Sequence, residues 1–135
     1  MGVVVDTGVF IQWERHGKPF DTQFADLTQP LFISAITASE LLVGVHRADS
    51  VSRREIRSRF VEAILNRFSI LEIDLSIARQ HAALQATLIQ NGTPIGYQDL
   101  WIAATAVALG HAIMTTNEKD FSRISNLKVI SIKSP

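Results

Sequence analysis

Cysteine is missing from this sequence of 135 residues. Its absence excludes disulfide bonds, zinc ribbons, iron–sulfur clusters and thiol nucleophiles. Nothing indicates an oxidising compartment, and we therefore expect a cytoplasmic protein. Net charge is absent too, because thirteen Lys and Arg residues balance thirteen Asp and Glu residues. A neutral chain has no overall electrostatic field that would attract nucleic acid or a membrane.

Long hydrophobic runs are also absent. The most apolar stretch, residues 100–114, is interrupted by Thr105 and His111. It is shorter than the roughly 20 apolar residues that a membrane-spanning helix needs. The first residues contain no basic segment and already include Asp6, which is not typical of a secretory signal. We therefore expect no membrane partner.

The sequence does contain enough apolar residues for one core. Apolar residues make up 47% and charged residues 19%, and we predict a single domain over residues 1–135. Short apolar strands alternate with helices, which is typical of a parallel sheet covered by helices on both faces. The predicted strands are 3–5, 31–33, 68–73, 112–115 and 129–132; the predicted helices are 7–13, 37–47, 52–66, 75–91 and 98–109. A loop is predicted around residues 17–21, from the spacing of glycine, proline and aspartate.

Polar side chains follow several of these strands. In an open parallel α/β sheet, the carboxyl ends of the strands meet at one edge, where functional groups gather. We therefore expect five side chains from four distant segments to lie near one another. They are Asp6, Glu40, Asp99, Asn117 and Asp120.

Each of the five also has an ordinary structural explanation. Asp6 could cap the helix that follows it. Residues 37–40 have the form of a capping box, which would place Glu40 in the first turn of its helix. Asp99 in a first helical turn is favoured by the helix dipole, and the last two are common turn residues. The functional interpretation depends on all five meeting at one edge.

Grouped carboxylates indicate a hard divalent cation such as Mg²⁺ or Mn²⁺. Carboxylates within about 4–6 Å of one another repel unless a cation lies between them. A water bound to the cation becomes more acidic and can attack a phosphodiester. The pattern therefore predicts metal-assisted phosphodiester hydrolysis.

Four segments of the chain resemble the PIN-domain ribonucleases, and among them the VapC toxins of prokaryotic VapBC toxin–antitoxin pairs. The segments are residues 3–7 (VVVDT), 33–41 (ISAITASEL), 99–104 (DLWIAA) and 115–121 (TTNEKDF). Each motif alone is weakly specific. Together they span residues 3–121 in the order and spacing of that family.

The resemblance implies a PIN-like three-layer α/β/α sandwich with a mainly parallel central sheet. It implies a Mg²⁺-dependent endoribonuclease, for which Mn²⁺ can substitute. Asp6 and Asp99 would be the main metal ligands, and Glu40 would hold the metal through water or activate the attacking water. Asn117 falls where many relatives have a fourth acid, and Asp120 is the nearby acid, so which of the two completes the site stays open.

The resemblance also implies partners. These are an RNA substrate, a VapB-type antitoxin whose C-terminal segment enters the acidic groove, and a second copy of the chain in a homodimer. Gly8 departs from the family, because relatives often carry Asn or Ser at this position. A hydrogen bond close to the acids is therefore expected to be loosened here.

Several alternatives stay open. Asn117 in place of an acid is compatible with a PIN-like binding module that does not cleave RNA. Residues 47–67 contain six arginines, which form either a solvated helix face or a contact for RNA phosphates. Trp13 is a candidate for lining a partner groove, whereas Trp101 is expected in the core. The four histidines are scattered, which disfavours a metal-free acid–base mechanism.

Overall fold

The computed structural model of the chain describes residues 1–17 and 27–132. This part of the chain contains five strands and six helices. The strands are β1 (Val3–Val5), β2 (Leu31–Ser34), β3 (Ser69–Leu71), β4 (Ala112–Thr115) and β5 (Val129–Ser131). The helices are α1 (Thr7–His16), α2 (Ala35–His46), α3 (Val51–Arg67), α4 (Leu75–Gln90), α5 (Tyr97–Leu109) and α6 (Glu118–Phe121).

The five strands form one sheet in the order β3-β2-β1-β4-β5, and every neighbouring pair is parallel. The central strand β1 and its neighbour β4 are buried along their whole length. Burial on both faces explains why these two strands are apolar or β-branched throughout rather than alternating with polar residues. Because all strands point the same way, the residues that follow them meet at one edge, here called the carboxyl edge.

Two hydrophobic clusters cover the two faces of the sheet. Val3 and Val5 belong to a cluster with Phe10 of α1 and Ile64 of α3. Val4, which points to the opposite face because side chains alternate along a strand, belongs to a cluster that includes residues of α4 and α5. The fold is therefore a three-layer α/β/α sandwich with a parallel central sheet, as expected.

Most predicted elements are confirmed to within a few residues at each end. The predicted capping box at residues 37–40 is wrong. Helix α2 begins at Ala35, and its cap is Ser34, whose Oγ accepts a hydrogen bond of 3.1 Å from the Ile36 N–H. Glu40 therefore lies in the second turn of α2 and not in the first. The sequence pattern does not predict the short helix α6.

The expected role of Trp13 is also wrong. Trp13 is only 1% exposed and packs edge-on against Phe10 inside the core. Trp101 is partly buried and stacks on His81, with ring centroids 3.7 Å apart. Of the loop predicted around residues 17–21, Gly17 ends α1 with a left-handed φ of 64°, and the rest lies outside the described residues. No helix in the described ranges is long and apolar enough to cross a membrane.

Replacing glycine with alanine is expected to have opposite effects on stability at two positions. A Cβ added to Gly2 would lie 2.5 Å from Phe32 Cε2 and 2.8 Å from the Pro30 carbonyl oxygen. Gly2→Ala should therefore lower the free energy of unfolding by about 1–3 kcal/mol through overpacking. Gly44 lies inside α2, where a Cβ would meet nothing closer than 3.8 Å. Gly44→Ala should raise the free energy of unfolding by up to about 1 kcal/mol. Urea denaturation measures both, and changes of the same sign would contradict the packing described here.

Candidate active site

Asp6 lies at the carboxyl edge, between the two central strands β1 and β4. It follows β1 directly and caps α1, with its Oδ1 accepting a 2.8 Å hydrogen bond from the Thr7 N–H. Its Oδ2 accepts a 2.8 Å hydrogen bond from the hydroxyl of Thr115, the last residue of β4. Asp6 is only 5% exposed. The carboxylate is therefore held in one orientation by the first residue of α1 and the last residue of β4.

Glu40 is fixed beside Asp6 through Thr7. The Thr7 hydroxyl donates a 2.7 Å hydrogen bond to Glu40 Oε1. The hydroxyl oxygens of Thr7 and Thr37 are 2.9 Å apart. Because the single proton of Thr7 goes to Glu40, the Thr37 hydroxyl donates to Thr7. Both threonines are buried, so this short chain of hydroxyls orients the Glu40 side chain from α2 toward the edge.

Asn117 and Asp120 interact directly with each other. Asn117 Nδ2 donates a 2.9 Å hydrogen bond to Asp120 Oδ2, and the Asn117 N–H donates to the Thr115 hydroxyl at 2.9 Å. Arg123 Nη1 lies 3.5 Å from Asp120 Oδ1. The fourth carboxylate of the edge is therefore Asp120, and Asn117 is the donor that orients it.

The charges of the four carboxylates affect one another's pKa values, which indicates that these groups lie near one another. Burial raises the pKa of Asp6 to about 6; the hydrogen bonds from Thr115 and Thr7 lower it, while Asp99 and Glu40 raise it. Burial also raises the pKa of Glu40, and the charge of Asp99 adds to this effect. The pKa of Asp99 is raised by burial and then by Asp120. The structure thus brings together all of the residues that the sequence pattern singled out.

The sequence pattern assigns no role to three threonines that surround the acids. Thr7, Thr37 and Thr115 are all buried and supply the hydroxyls that orient Asp6 and Glu40. A signal for two of them is present, since Thr7 follows the first acid and Thr115 ends a strand that leads to Asn117. Nothing in the local sequence indicates that Thr37 contacts Thr7, which is 30 positions away.

The space beside Gly8 is filled by Thr116. A Cβ added to Gly8 would lie 2.8 Å from Thr116 Oγ1 and 3.9 Å from Asp6 Oδ2. The missing side chain at position 8 therefore leaves no gap beside the acids. A hydroxyl from the β4–α6 connection occupies the position instead.

A groove of about 260 Å³ adjoins the carboxyl edge between α1, α2 and α3. Glu40 lines it together with Arg15, Arg57 and apolar residues such as Leu41. Arg57 Nε donates a 3.3 Å hydrogen bond to Glu14, and its Nη1 donates to the Gly44 carbonyl oxygen at 3.3 Å. Part of the arginine-rich segment therefore does border the acidic edge.

The acids of the edge fit a hydrated cation rather than a fully dehydrated one. Within residues 1–17 and 27–132, no group of three or more Asp, Glu, His or Cys side chains is arranged to hold a metal ion. Mg²⁺ does not require such a group, because it keeps several waters and binds through one or two carboxylates. The raised pKa values also reflect mutual repulsion among these acids, which a cation would relieve.

Comparisons with known proteins identify the family of this chain. The family model described as PIN domain matches residues 3–127. The chain is 35% identical over 134 residues to Ribonuclease VapC1 of Rickettsia felis, covering 99% of this chain and 98% of that protein. The chain belongs to the VapC group of PIN-domain proteins. A further relative of this VapC-family chain is the tRNA(fMet)-specific endonuclease VapC of Salmonella typhimurium, 30% identical with 76% of this chain and 75% of that protein covered.

Solved structures of VapBC complexes share the fold of this VapC-family chain. VapBC2 of Rickettsia felis, bound to a DNA fragment from its promoter, matches with a TM-score of 0.89 and 25% identity, covering 98% of this chain and 100% of that chain. VapBC-1 of nontypeable Haemophilus influenzae matches with a TM-score of 0.85 and 28% identity, covering 97% and 98%.

The raised pKa of Asp6 predicts that metal-free protein loses stability as the pH rises from about 4 to about 6. An unperturbed aspartate carboxyl group has a pKa of 3.8, whereas that of Asp6 in the folded protein is about 6. Between these pH values the folded state binds more protons than the unfolded state. The stability that protonation of Asp6 contributes is therefore lost as the pH rises through the folded pKa. The expected loss is on the order of 2–3 kcal/mol.

Urea denaturation in the presence of a chelator measures this pH dependence. Asp6→Asn keeps a capping oxygen but cannot ionise, so its stability should change much less over the same pH range. Added Mg²⁺ should stabilise the wild type at pH 7 more than the variant. An equal loss of stability in both proteins would contradict the assignment.

The contact at Gly8 predicts coupling between positions 8 and 116. Gly8→Ser alone should lower the free energy of unfolding, because its Cβ would lie 2.8 Å from Thr116 Oγ1. In the Thr116→Ala background the loss of unfolding free energy caused by Gly8→Ser should be smaller by about 1 kcal/mol or more. A double-mutant cycle measured by urea denaturation gives this difference directly. Additivity of the two substitutions to within about 0.5 kcal/mol would rule out the contact.

Proposed function

We propose that this chain is the toxin of a VapBC-type toxin–antitoxin pair and acts in the cytoplasm as a metal-dependent endoribonuclease. The supporting observation is the meeting of Asp6, Glu40, Asp99 and Asp120 at one edge, three of them with raised pKa values. The VapC relatives named as a ribonuclease and as a tRNA endonuclease agree with this proposal.

Asp6 and Asp99 are the proposed ligands of Mg²⁺, and Glu40 would hold the ion through water. Mn²⁺ is expected to substitute, because both ions prefer carboxylate and water oxygens. When bound, the ion supplies positive charge for the phosphodiester and makes a bound water more acidic. The carboxylate of Asp120 adds negative charge beside Asp99, which favours retention of a cation.

The chain's own residues position the reacting groups. Glu40 is half-buried and has a raised pKa, so it is a better proton acceptor than an ordinary glutamate. The Thr7 hydroxyl holds Oε1 of Glu40, leaving Oε2 to accept a proton from the attacking water. The Thr115 hydroxyl and the Thr7 N–H keep Asp6 in place as the phosphate approaches.

The groove beside Glu40 is the proposed site of a VapB-type antitoxin segment. Its apolar lining suits apolar side chains of a peptide, while the neighbouring carboxylates would attract a cationic side chain. The solved VapBC complexes from Rickettsia felis and Haemophilus influenzae agree with such a partner. We also propose a homodimer. Exposed apolar side chains provide candidate contacts on either of two surfaces: Val51 and Ile56 of α3 on one face of the sheet, or Leu75 and Ile89 of α4 on the other.

A non-catalytic PIN-like module is the alternative function. Asn117 standing in place of an acid favours it. The hydrogen bond from Asn117 to Asp120 weakens this alternative, because Asp120 brings a carboxylate to the same edge.

Asp99→Asn is the sharpest test of the proposed activity. Asp99 makes no side-chain hydrogen bond within the described residues, so this substitution removes charge with little structural change. Purified wild-type protein should cleave RNA in Mg²⁺ or Mn²⁺ but not in chelator. The cleavage rate of the variant should fall by about 10²-fold or more.

Glu118→Gln is the matched control, because Glu118 is an exposed acid near the same edge and is outside the proposed site. Its cleavage rate should stay within about twofold of wild type. RNA cleavage that persists in chelator, or full activity of Asp99→Asn, would disprove the proposed mechanism. A wild-type protein that binds RNA without cutting it would support the non-catalytic module.

A further inference from the structure

A second cavity lies beside the carboxyl edge, on the face of the sheet opposite to the groove. It has a volume of about 430 Å³ and lies between α4 and residues 123–126, which follow α6. Clefts that bind small ligands usually have volumes of about 300–1,000 Å³. The cavity is therefore large enough for one planar ring system, such as a nucleobase.

The cavity combines an apolar floor with unused amide groups. Leu88 and Ile124, both buried, belong to the floor. Gln80, Asn91 and Asn126 supply side-chain amides. Within the described part of the chain, none of these three amides makes a hydrogen bond. Each therefore has both donors and an acceptor available for a ligand.

Arg123 connects this cavity to the acidic edge. It lines the cavity, and its Nη1 donates a 2.7 Å hydrogen bond to the Pro94 carbonyl oxygen. The same Nη1 lies 3.5 Å from Asp120 Oδ1, and Asp120 in turn raises the pKa of Asp99. The other guanidinium nitrogens of Arg123 make no hydrogen bond within the described residues, so they are available to a phosphate.

We propose that this cavity binds one unpaired nucleobase of the RNA substrate, next to the bond that is cut. The proposal rests on the ribonuclease function proposed above. The base lies on the aliphatic floor, the amides of Asn91 and Asn126 contact its edge, and Arg123 contacts the adjoining phosphate. Amide side chains recognise base edges through paired donors and acceptors, which single-stranded RNA exposes. Among the described residues, no carboxylate lines the cavity and repels the RNA backbone there.

The occupant is expected to be RNA rather than a peptide because of the lining. The groove on the opposite face combines apolar residues with paired charges. This cavity instead combines uncharged amides with one guanidinium, the combination that a base and its phosphate require. A paired base could not enter, since its edge would be occupied by its partner.

Cleavage of an RNA hairpin pool with a randomised loop tests the proposal. Sequencing of the products gives the base preference at each position flanking the cut. The wild type should discriminate among bases by about tenfold or more at one flanking position. The double variant Asn91→Ala/Asn126→Ala should reduce this discrimination to about threefold or less, while cleavage of the preferred loop slows only a few-fold.

Gln90→Ala is the matched control, because Gln90 is an exposed amide at the end of the same helix and does not line the cavity. It should keep the wild-type preference, and thermal denaturation should confirm that all variants are folded. An unchanged preference in the double variant would overturn the proposal. If the wild type neither cuts nor binds the pool, the ribonuclease function itself fails. If it cuts without preference at every flanking position, only the base site fails.

Discussion

The repulsion among carboxylates at one edge of the sheet is the physical constraint that the surrounding structure has to accommodate. Asp6 is almost completely buried, although burial and two neighbouring carboxylates all disfavour its charge. Such an arrangement costs folding free energy and persists because the surrounding fold holds it in place. The central strands β1 and β4 supply that support: their hydrogen-bonded pairing fixes Asp6 and Thr115 side by side.

Neutral donors hold these acids in place, and this choice has a chemical consequence. The hydroxyls of Thr7 and Thr115 orient Glu40 and Asp6 without adding positive charge. A lysine or arginine in either position would lower the pKa of its partner but would also compete with a cation for the same oxygens. Hydroxyl donors therefore keep the carboxylates ordered and still able to bind an ion.

The sequence was sufficient to predict a parallel sheet covered by helices, although not its strand order, and the meeting of the acids, because these depend on local pattern and strand polarity. Val3–Val5 is a β-branched run, and the acid that follows a parallel strand has only one edge on which to lie. Other features depended on contacts between distant residues. Ser34 and Thr37 are both residue types that commonly cap helices. Ser34 is the last residue of β2, where it pairs with Leu71 of β3, and the helix begins directly after it. Similarly, Trp13 is buried because α1 places it in a core cluster with residues of other elements, such as Val61 of α3, which no local pattern indicates.

The two faces of the sheet give the acidic edge two different surroundings. On one face, Arg57 is paired with Glu14 in a groove with an apolar lining. On the other, Arg123 lies between Asp120 and a cavity lined by side-chain amides. The chain as a whole has no net charge, so long-range attraction contributes little to binding. Recognition must then depend on short-range contacts, and the cavities beside the edge are where such contacts are available. The same four carboxylates could in this way serve one partner that approaches over the groove and a different one that approaches over the cavity.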